Sequence, residues 1–220
     1  MNASRSLVIA LLATLPLVAQ ATSSAPSETR TEIKREMADA RQEVRVEMAK
    51  ARAELDSENL SLDKGLHFGK NGKRESANGK SLPAAQISPK GDFLVDGKAV
   101  TLSALQRQQL LDYREQVIEL AKAGINGGEQ AAMAALDATD VSLFRLIAGG
   151  ISGSLERRVQ ASVKQRIQPV LQQICRGLPQ LLESQQQLTA SLPQFQPYAT
   201  LEADDIADCE REVRSEFATR

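Results

Sequence analysis

Apolar residues recur along this chain with two different spacings, one typical of helices and one typical of strands. Residues 27–58 show the first spacing, with seven apolar positions at steps of 4, 3, 4, 4, 3 and 4 residues. This 11-residue period predicts one long, nearly straight or slightly right-handed helix with a thin apolar stripe. The stripe leaves three roles open: an oligomerising coil, a solvated helix, or a helix laid on the main domain. Its members are Ile33, Met37, Ala40, Val44, Met48, Ala51 and Leu55.

Short apolar runs separated by turn residues mark residues 86–102 as the β segment. Asp96 and Gly97 lie between the run at 93–95 and the run at 99–102. An Asp-Gly pair between apolar runs predicts a hairpin, because the tight turn requires positive φ angles. A single hairpin is marginal in water, so we expect it to pack on a helix or to gain a third strand.

Helical spacing returns after the hairpin. Ser103 and Gln106 form a capping-box pair, which predicts a helix from Ala104 to about Ala123. A glycine cluster is expected to end this helix, and residues 129–148 are expected to form the next one. The cluster consists of Gly124, Gly127 and Gly128.

The longest apolar stripe of the chain lies between residues 155 and 181. Pro169 falls inside it and predicts a kink or a split in that helix. Residues 193–198 are predicted to be an extended loop, and Thr200 is predicted to cap a last, acidic helix. The stripe consists of Leu155, Val159, Val163, Ile167, Val170, Ile174, Leu178 and Leu181. The expected buried side of the last helix consists of Ile206, Cys209, Val213 and Phe217.

These elements predict a mainly α protein, a helical bundle with a small β-hairpin or meander and a long charged N-terminal helix. Aromatic residues make up only 3% of the chain and tryptophan is absent, whereas helix-forming residues dominate. The predicted division is a signal peptide at 1–21, a charged coil-like helix at 22–58, a flexible Gly/Lys-rich linker at 59–85 and a hairpin-plus-helix domain at 86–220.

The first 21 residues indicate the compartment. Arg5 supplies a positive start, residues 7–18 are an apolar run, and Ala19-Gln20-Ala21 is a small-x-small cleavage site. The apolar run is too short to span a membrane, so we expect a cleaved secretory signal peptide and residence in the periplasm.

Cys175 and Cys209 are the two cysteines of the chain. In an exported protein an even number favours a disulfide, and two cysteines leave one intramolecular pairing. Closing a loop of about 35 residues adds roughly 3–4 kcal/mol of stability in the chain-entropy model. The alternative is a pair of buried free thiols, and in both cases the cysteines have a structural role.

Charge is balanced overall but segregated along the chain. The net charge of −1 argues against general binding of nucleic acid or another polyanion. Lysine and arginine predominate in residues 60–92 and 155–176, whereas residues 199–220 are mainly acidic. A disulfide between Cys175 and Cys209 would join the second basic segment to the acidic tail.

Candidate catalytic and metal-binding motifs fail on their spacing. His67 is the single histidine, and Ser152 lacks one glycine of a hydrolase nucleophile elbow. The Gly-Lys pairs of the linker lack the earlier glycine of a phosphate-binding loop. Acids at the start of the last helix are expected from the helix dipole and lack the spacing of a calcium loop. A hydrolase would need two of them, such as Asp204 and Asp208, at working distance in a cleft. We therefore expect no enzymatic activity, no catalytic or metal-binding residue and no cofactor.

Two apolar features leave alternatives open. Residues 144–151 fit either core packing or contact with a membrane surface beside the basic helix. The helices of residues 104–192 fit either a filled core or a binding module for a lipid or another apolar ligand. The cavity of such a module would be lined by Leu110, Val117, Phe144, Ile147 and Val163.

A run of turn, cap and core residues in the hairpin region carries a family resemblance. It consists of Ile87, Pro89, Gly91, Gly97, Lys98, Leu102, Ser103, Gln106, Arg107, Asp112 and Tyr113, with a looser likeness through Cys175 and the loop at 192–198. Over about residues 85–215 the chain resembles the YggN-like proteins, an uncharacterised group of exported proteobacterial proteins with a domain of unknown function. The resemblance implies periplasmic residence and a helical domain with a small β element, and it brings no catalytic residues.

The leading hypothesis from these observations is a non-enzymatic envelope protein that acts through helical surfaces on a protein or membrane partner. Its support is the segregation of charge between helices and the coil-like N-terminal extension, which would also permit a homo-oligomer through residues 27–58. The alternative hypothesis is the apolar-ligand module of the helical domain.

Overall fold

The computed structural model describes residues 26–62, 82–147 and 154–217. The predicted signal peptide, most of the predicted linker with His67, and Ser152 lie outside the described residues. Within the described ranges the helices are α1 Pro26–Ser57, α2 Ala104–Ile147, α3 Ser154–Ser191 and α4 Ala203–Phe217, with a 3-10 helix at Pro193–Tyr198. The strands are β1 Leu60–Ser61, β2 Ala85–Ile87, β3 Phe93–Val95 and β4 Lys98–Ala99. The fold is therefore mainly α with a small β meander, as the sequence predicts.

The N-terminal helix forms as predicted and packs along α2. All seven residues of its apolar stripe are half-buried, whereas most residues between them are exposed. An 11-residue period keeps one face of a straight helix against its neighbour over six turns. In this chain that neighbour is α2, so the stripe is used within the molecule.

The four strands form one antiparallel sheet in the order β1-β2-β3-β4. Asp96 and Gly97 connect β3 to β4 with φ angles of 47° and 74°, and Val95 pairs with Lys98 across the turn. Positive φ at both central residues is the signature of a type I′ turn, whose twist matches that of the strands. The Asp-Gly hairpin is thus confirmed, and β1 and β2 extend it to a meander.

Helix α2 begins at its capping box and continues through the glycine cluster. The backbone N–H of Ser103 donates to Gln106 Oε1 at 2.8 Å, and the N–H of Gln106 donates to Ser103 Oγ at 3.2 Å. The predicted end near Ala123 is wrong, because the helix runs to Ile147. Packing explains the difference: a Cβ placed on Gly127 would lie 2.9 Å from Val170 Cγ1 on α3. Here a glycine allows two helices to approach instead of ending one.

Helix α3 is continuous through both of its prolines. Of the two outcomes predicted at Pro169, the split is therefore wrong, and the kink stays a prediction. Pro169 and Pro179 are both exposed, while Val170 and Leu178 beside them are buried. An interior proline costs about 3 kcal/mol, since it removes one backbone hydrogen bond and crowds the carbonyl four residues earlier. Both proline rings lie on the exposed side of α3, and packing of the buried side keeps the helix in place.

Residues 193–198 form a 3-10 helix and not the predicted extended loop. Phe195 and Tyr198 are both buried on its inner side. In a 3-10 helix residues three apart lie on one side, so this geometry turns both rings toward the sheet. Their ring centroids each lie 6.0 Å from that of Phe93, and Phe195 lies 5.2 Å from Tyr113.

Helix α4 begins at Ala203, three residues after the predicted cap Thr200. The backbone N–H of Glu202 donates to the carboxylate of Asp205 at 2.8 Å, which is one of the two hydrogen bonds of a capping box. The predicted inner face is confirmed in direction, although each member is only half-buried. Its members are Ile206, Cys209, Val213 and Phe217.

The best-packed part of the molecule lies where the sheet, the 3-10 helix and the adjoining ends of α2 and α3 meet. The helices contact one another mainly in chain order, α1 with α2, α2 with α3 and α3 with α4. The fully buried side chains there include Ile87, Phe93, Leu110, Val117, Leu178, Leu181, Leu188, Leu192 and Phe195.

Candidate functional site

A disulfide joins α3 to α4, which confirms the predicted pairing. Cys175 of α3 and Cys209 of α4 are bonded, and their Cα atoms lie 5.7 Å apart. Cys175 is buried and Cys209 is half-buried. The bond fixes one point of α4 on α3 and therefore fixes the distance between the two helices at that level.

Polar contacts hold α4 on α3 at both of its ends. Before the helix, the buried amide of Gln185 donates to the carbonyl of Leu201 at 2.8 Å and accepts from the N–H of Leu201 at 3.0 Å. Near its C-terminal end, Lys164 forms an ion pair with Glu216 at 2.6 Å. With the disulfide between them, these contacts set the direction of α4 antiparallel to α3.

An open groove lies between α3 and α4 beside the disulfide. Its volume is about 470 Å³, within the range of about 300–1,000 Å³ that ligand pockets occupy. Val213 and Phe217 supply its apolar part, and both are half-buried. The residues that line it are Gln168, Gln172, Cys175, Arg176, Glu210, Val213, Arg214 and Phe217.

The rim of the α3–α4 groove carries two guanidinium groups and one carboxylate. Arg176 donates from Nε to the carbonyl of Gln172 at 3.1 Å, and Arg214 lies 3.9 Å from Glu210 in a pair along the exposed side of α4. An exposed ion pair of this kind contributes little to stability, so Arg214 can exchange partners at low cost. The groove can therefore hold an apolar group while its rim binds a carboxylate.

A second groove of about 450 Å³ lies between α2 and α3, and it is polar and acidic. Among the described residues there is no group of three or more histidine, cysteine, aspartate or glutamate side chains that could hold a metal ion. The carboxylates that line this second groove belong to Asp112, Glu115, Glu119 and Glu183. Its amides and its hydroxyl belong to Gln109, Gln116, Gln180, Gln187 and Ser184. This surface is a solvated polar face of the two helices.

Arg114 of α2 holds the C-terminal turn of α1. Its Nη2 donates to the carbonyls of Leu55, Asp56 and Glu58 at 2.9, 3.1 and 2.8 Å, and only 8% of the residue is exposed. Helix α1 has no basic residue in its own last turn, so Arg114 supplies the positive charge that a helix C-terminus favours. Lys122 adds an ion pair to the Asp56 carboxylate at 2.6 Å.

Further along, polar contacts fix the register between α1 and α2. Arg52 donates to Asn126 at 2.7 Å and to Glu129 at 2.8 Å, and Arg41 donates to Asp137 at 3.3 Å. Lower residue numbers in α1 thus meet higher numbers in α2, so the two helices run antiparallel. We call this contact surface the α1–α2 seam.

The residues predicted to line an apolar cavity lie in different environments in the structure. Leu110 and Val117 belong to the packed core, with 0% and 1% of their surface exposed. Val163 is half-buried on α3, and the side chains of Phe144 and Ile147 lie outside the described part of the molecule. Leu110 and Val117 are therefore filled-core residues. The α3–α4 groove was not predicted, although two of the residues that line it, Val213 and Phe217, belong to the apolar face predicted for the last helix.

The predicted acidic candidates have structural neighbours. Asp205 accepts the N–H of Glu202, and Asp208 pairs with Arg211 at 2.9 Å along the same helix. Asp204 is exposed in the first turn of α4, where a negative charge is stabilised by the helix dipole. Capping, pairing along the helix and the helix dipole therefore account for these three acidic residues.

Among the described residues, Asp92 and Tyr113 have displaced pKa values, and both lie near the sheet. Hydrogen bonds from Arg107 and then from Ser88 hold the pKa of Asp92 below its ordinary value of 3.8. Burial raises the pKa of Tyr113, whose ring packs in the core. Both shifts follow from turn and core packing.

No protein-family model, no curated protein and no solved structure matches this chain. The likeness to the YggN-like proteins thus stays a prediction. Among the described helices, none is long and apolar enough to cross a membrane. The geometry of the surfaces carries the functional argument.

Proposed function

We propose that this chain is an exported, non-enzymatic protein of the cell envelope that acts through its helical surfaces on a protein partner. The observation that carries the proposal is the α3–α4 groove, where Val213 and Phe217 remain half exposed beside the disulfide. Three contacts between α3 and α4 hold the groove at a fixed width: the disulfide, the hydrogen bonds of Gln185 to Leu201, and the ion pair of Lys164 with Glu216. Preorganisation of this kind lowers the entropic cost of binding.

The expected partner element is an amphipathic helix or a short apolar segment. Two parallel ridges formed by packed helices suit the helix-in-groove mode, in which a few apolar side chains enter the groove and polar ones remain at its rim. Arg176 and Arg214 would bind carboxylates on the flanks of such a segment. A membrane surface is the other partner class that the sequence predicts, and the same experiment distinguishes it.

Export to the periplasm is part of this proposal. Its support is the sequence of residues 1–21, with Arg5, the apolar run at 7–18 and the small-x-small site. The bond between Cys175 and Cys209 adds to it, since structural disulfides persist in oxidising compartments.

Site-specific photo-crosslinking in cells tests the proposal. A photoreactive amino acid is placed at Phe217 in the groove and, as the matched control, at Val46, which is 51% exposed on α1. We expect one discrete protein adduct from position 217 and none from position 46. Adducts with lipid alone would favour a membrane surface, and the same adducts from both positions would overturn the groove as the binding surface.

Affinity measurement with the purified partner completes the test. Val213→Asp places a charge on the apolar side of the groove and is expected to weaken binding about tenfold or more, which corresponds to about 1.4 kcal/mol. Glu212→Gln on the exposed side of α4 is the control and should leave the Kd unchanged. Equal affinities for both variants would contradict the assignment.

A small apolar ligand in the same groove is the second candidate function. The volume of about 470 Å³ favours it, and the guanidinium groups at the rim would favour a ligand with one anionic end. A fluorescent long-chain fatty acid is the probe. Saturable binding of one molecule, lost in Phe217→Ala and retained in Val46→Ala, would support this candidate over a protein partner.

A homo-oligomer through residues 27–58 also stays a proposal. The α1 stripe already faces α2 within one chain, so an oligomer of this kind would require exchange of α1 between copies. Light scattering with size exclusion on the full chain and on a chain that begins at Leu60 tests it. A dimer that becomes a monomer on truncation would support exchange, and monomers in both samples would contradict it.

A further inference from the structure

The methionines of this chain are concentrated on one contact surface. The chain has four methionines, of which Met1 is the first residue. Met37 and Met48 belong to the α1 stripe, and Met133 lies on α2; all three are half-buried. Met133 is four residues after Glu129 and four before Asp137, both of which bond to α1. Residues four apart share one helix face, so Met133 lies on the side of α2 that faces α1.

The register of the α1–α2 seam places Met48 and Met133 at the same level. Arg52 meets Glu129, and the two helices run antiparallel, so one turn back along α1 corresponds to one turn forward along α2. One turn before Arg52 is Met48, and one turn after Glu129 is Met133. Met37 lies three turns further along the seam, one turn before Arg41.

The apolar part of the seam is shallow and depends on few side chains. Among the described side chains of α1, none is fully buried. Two of the seven stripe residues are alanines, and two of the remaining five are Met37 and Met48. A change that makes both methionines polar would therefore remove much of the apolar contact that holds the part of α1 preceding Arg52.

The two ends of α1 are held in different ways. Its C-terminal turn is bound by Arg114, a buried side chain with three hydrogen bonds, and by Lys122. Met48 lies one turn before Arg52, whose ion pair with Glu129 is partly buried. Met37 lies one turn before Arg41, whose contact to Asp137 involves a carboxylate side chain that is 52% exposed. Exposed pairs contribute little, so among the described contacts the part of α1 that precedes Arg52 is held more weakly than its C-terminal turn.

We propose that Met37, Met48 and Met133 form an oxidant-responsive site that loosens the part of α1 preceding Arg52 from α2. The co-reactant is a two-electron oxidant of the hydroperoxide class. The thioether sulfur attacks one oxygen of the peroxide, an S–O bond forms and the O–O bond breaks. With hydrogen peroxide the products are the sulfoxide and water, and the sulfur supplies the two electrons that reduce the peroxide.

The structural consequence follows from the polarity of the sulfoxide. Each modified side chain acquires a polar S=O group on a surface that is apolar in the native seam. Separation of the helices hydrates that group, while Arg114 keeps the last turn of α1 on α2. The response is thus a hinged opening of the part of α1 preceding Arg52, and a sulfoxide reductase would reverse it.

Hydrogen exchange on the full chain, before and after treatment with hydrogen peroxide, tests the proposal. We expect amides of residues 31–48 to exchange about tenfold faster once mass spectrometry shows sulfoxide at the three methionines. Amides of residues 50–57, near Arg114, should change much less. The two cysteines are already bonded to each other, so no thiol competes for the peroxide.

Two sets of variants make the result specific. A chain with Met37→Leu, Met48→Leu and Met133→Leu should keep its exchange pattern under the same peroxide treatment. A chain with Met37→Gln and Met48→Gln, which places polar groups without oxidation, should show the faster exchange without peroxide. The proposal is overturned if the sulfoxides form with unchanged protection of residues 31–48, if they do not form in the folded chain, or if the leucine variant responds equally.

Discussion

The sheet end of the molecule and its outer helices use the same kinds of residue at different depths. At the sheet end Ile87, Phe93 and Phe195 are fully buried, and the two phenylalanine rings pack with those of Tyr113 and Tyr198. Helices α1 and α4 also have apolar stripes, yet the members of these stripes are only half-buried. The outer helices are held instead by directional contacts: Arg114 for α1, and the disulfide with Gln185 for α4.

This difference separates stability from function. A packed core resists change because every lost methylene leaves a cavity. A half-buried helix held by a few bonds can bind, release or exchange without unfolding the core, and such low-stability elements are where binding surfaces are usually found. Both functional proposals therefore concern the outer helices, the α3–α4 groove and the α1–α2 seam.

Removal of a core ring is expected to have the largest effect. Phe93→Ala should lower the free energy of unfolding by about 3–5 kcal/mol, because Phe93 is fully buried and contacts the rings of Phe195 and Tyr198. Leu105→Ala, at a side chain 67% exposed, is the control and should stay within about 0.5 kcal/mol. Urea unfolding followed by circular dichroism measures both. Similar losses in the two variants would contradict the packed core at the sheet end.

Removal of the disulfide should be nearly as costly but local in its structural effect. The cysteines are 34 positions apart in sequence, so the paired change Cys175→Ala and Cys209→Ala should cost about 3–4 kcal/mol in the chain-entropy model. Hydrogen exchange should accelerate in α4 and remain slow in β3. A reducing agent added to the wild type should reproduce the loss and leave the variant unaffected. Uniform acceleration over the whole chain would show that α4 is part of the core.

Two glycines that are neighbours in sequence should respond in opposite directions. Gly127→Ala places a Cβ 2.9 Å from the stiff side chain of Val170, and overpacking of this kind costs about 1–3 kcal/mol. A Cβ at Gly128 meets nothing within 4 Å, so Gly128→Ala should stabilise the helix by about 0.5–1 kcal/mol. Thermal unfolding measures the difference. Stabilisation by both changes would contradict the close approach of α2 and α3 at Gly127.

The smallest expected effect concerns acid. The pKa of Asp92 is lower in the folded chain than its ordinary value of 3.8. Its ion pair with Arg107 therefore stabilises the fold fully at pH values above 3.8. This contribution is lost as the pH falls through the folded pKa. An NMR titration should give Asp92 a pKa below 3.8 in the wild type and a higher one in Arg107→Ala. Lys98→Ala, at an exposed residue of β4, is the control. An unchanged pKa in Arg107→Ala would contradict the pairing.

The sequence alone determined the features that depend on neighbouring residues. The 11-residue stripe predicted α1, and Asp96-Gly97 predicted a turn with positive φ at both residues. Ser103 and Gln106 predicted their own reciprocal hydrogen bonds. The sequence left a single intramolecular pairing, Cys175 with Cys209, and the structure shows this disulfide in place of two free thiols. These signals are local because backbone conformation, capping and helix period act over a few residues.

The tertiary structure decided what depends on distant partners. Glycines at 124–128 favour a helix end locally, but close packing against Val170 keeps α2 continuous. The segment at 193–198 becomes a 3-10 helix because two rings three residues apart are both buried against Phe93. The half-buried stripe of α1 suits a neighbouring helix of any chain, and its place on α2 follows from the position of Arg114. Burial energy depends on which surfaces meet, and that information is contained in no single segment.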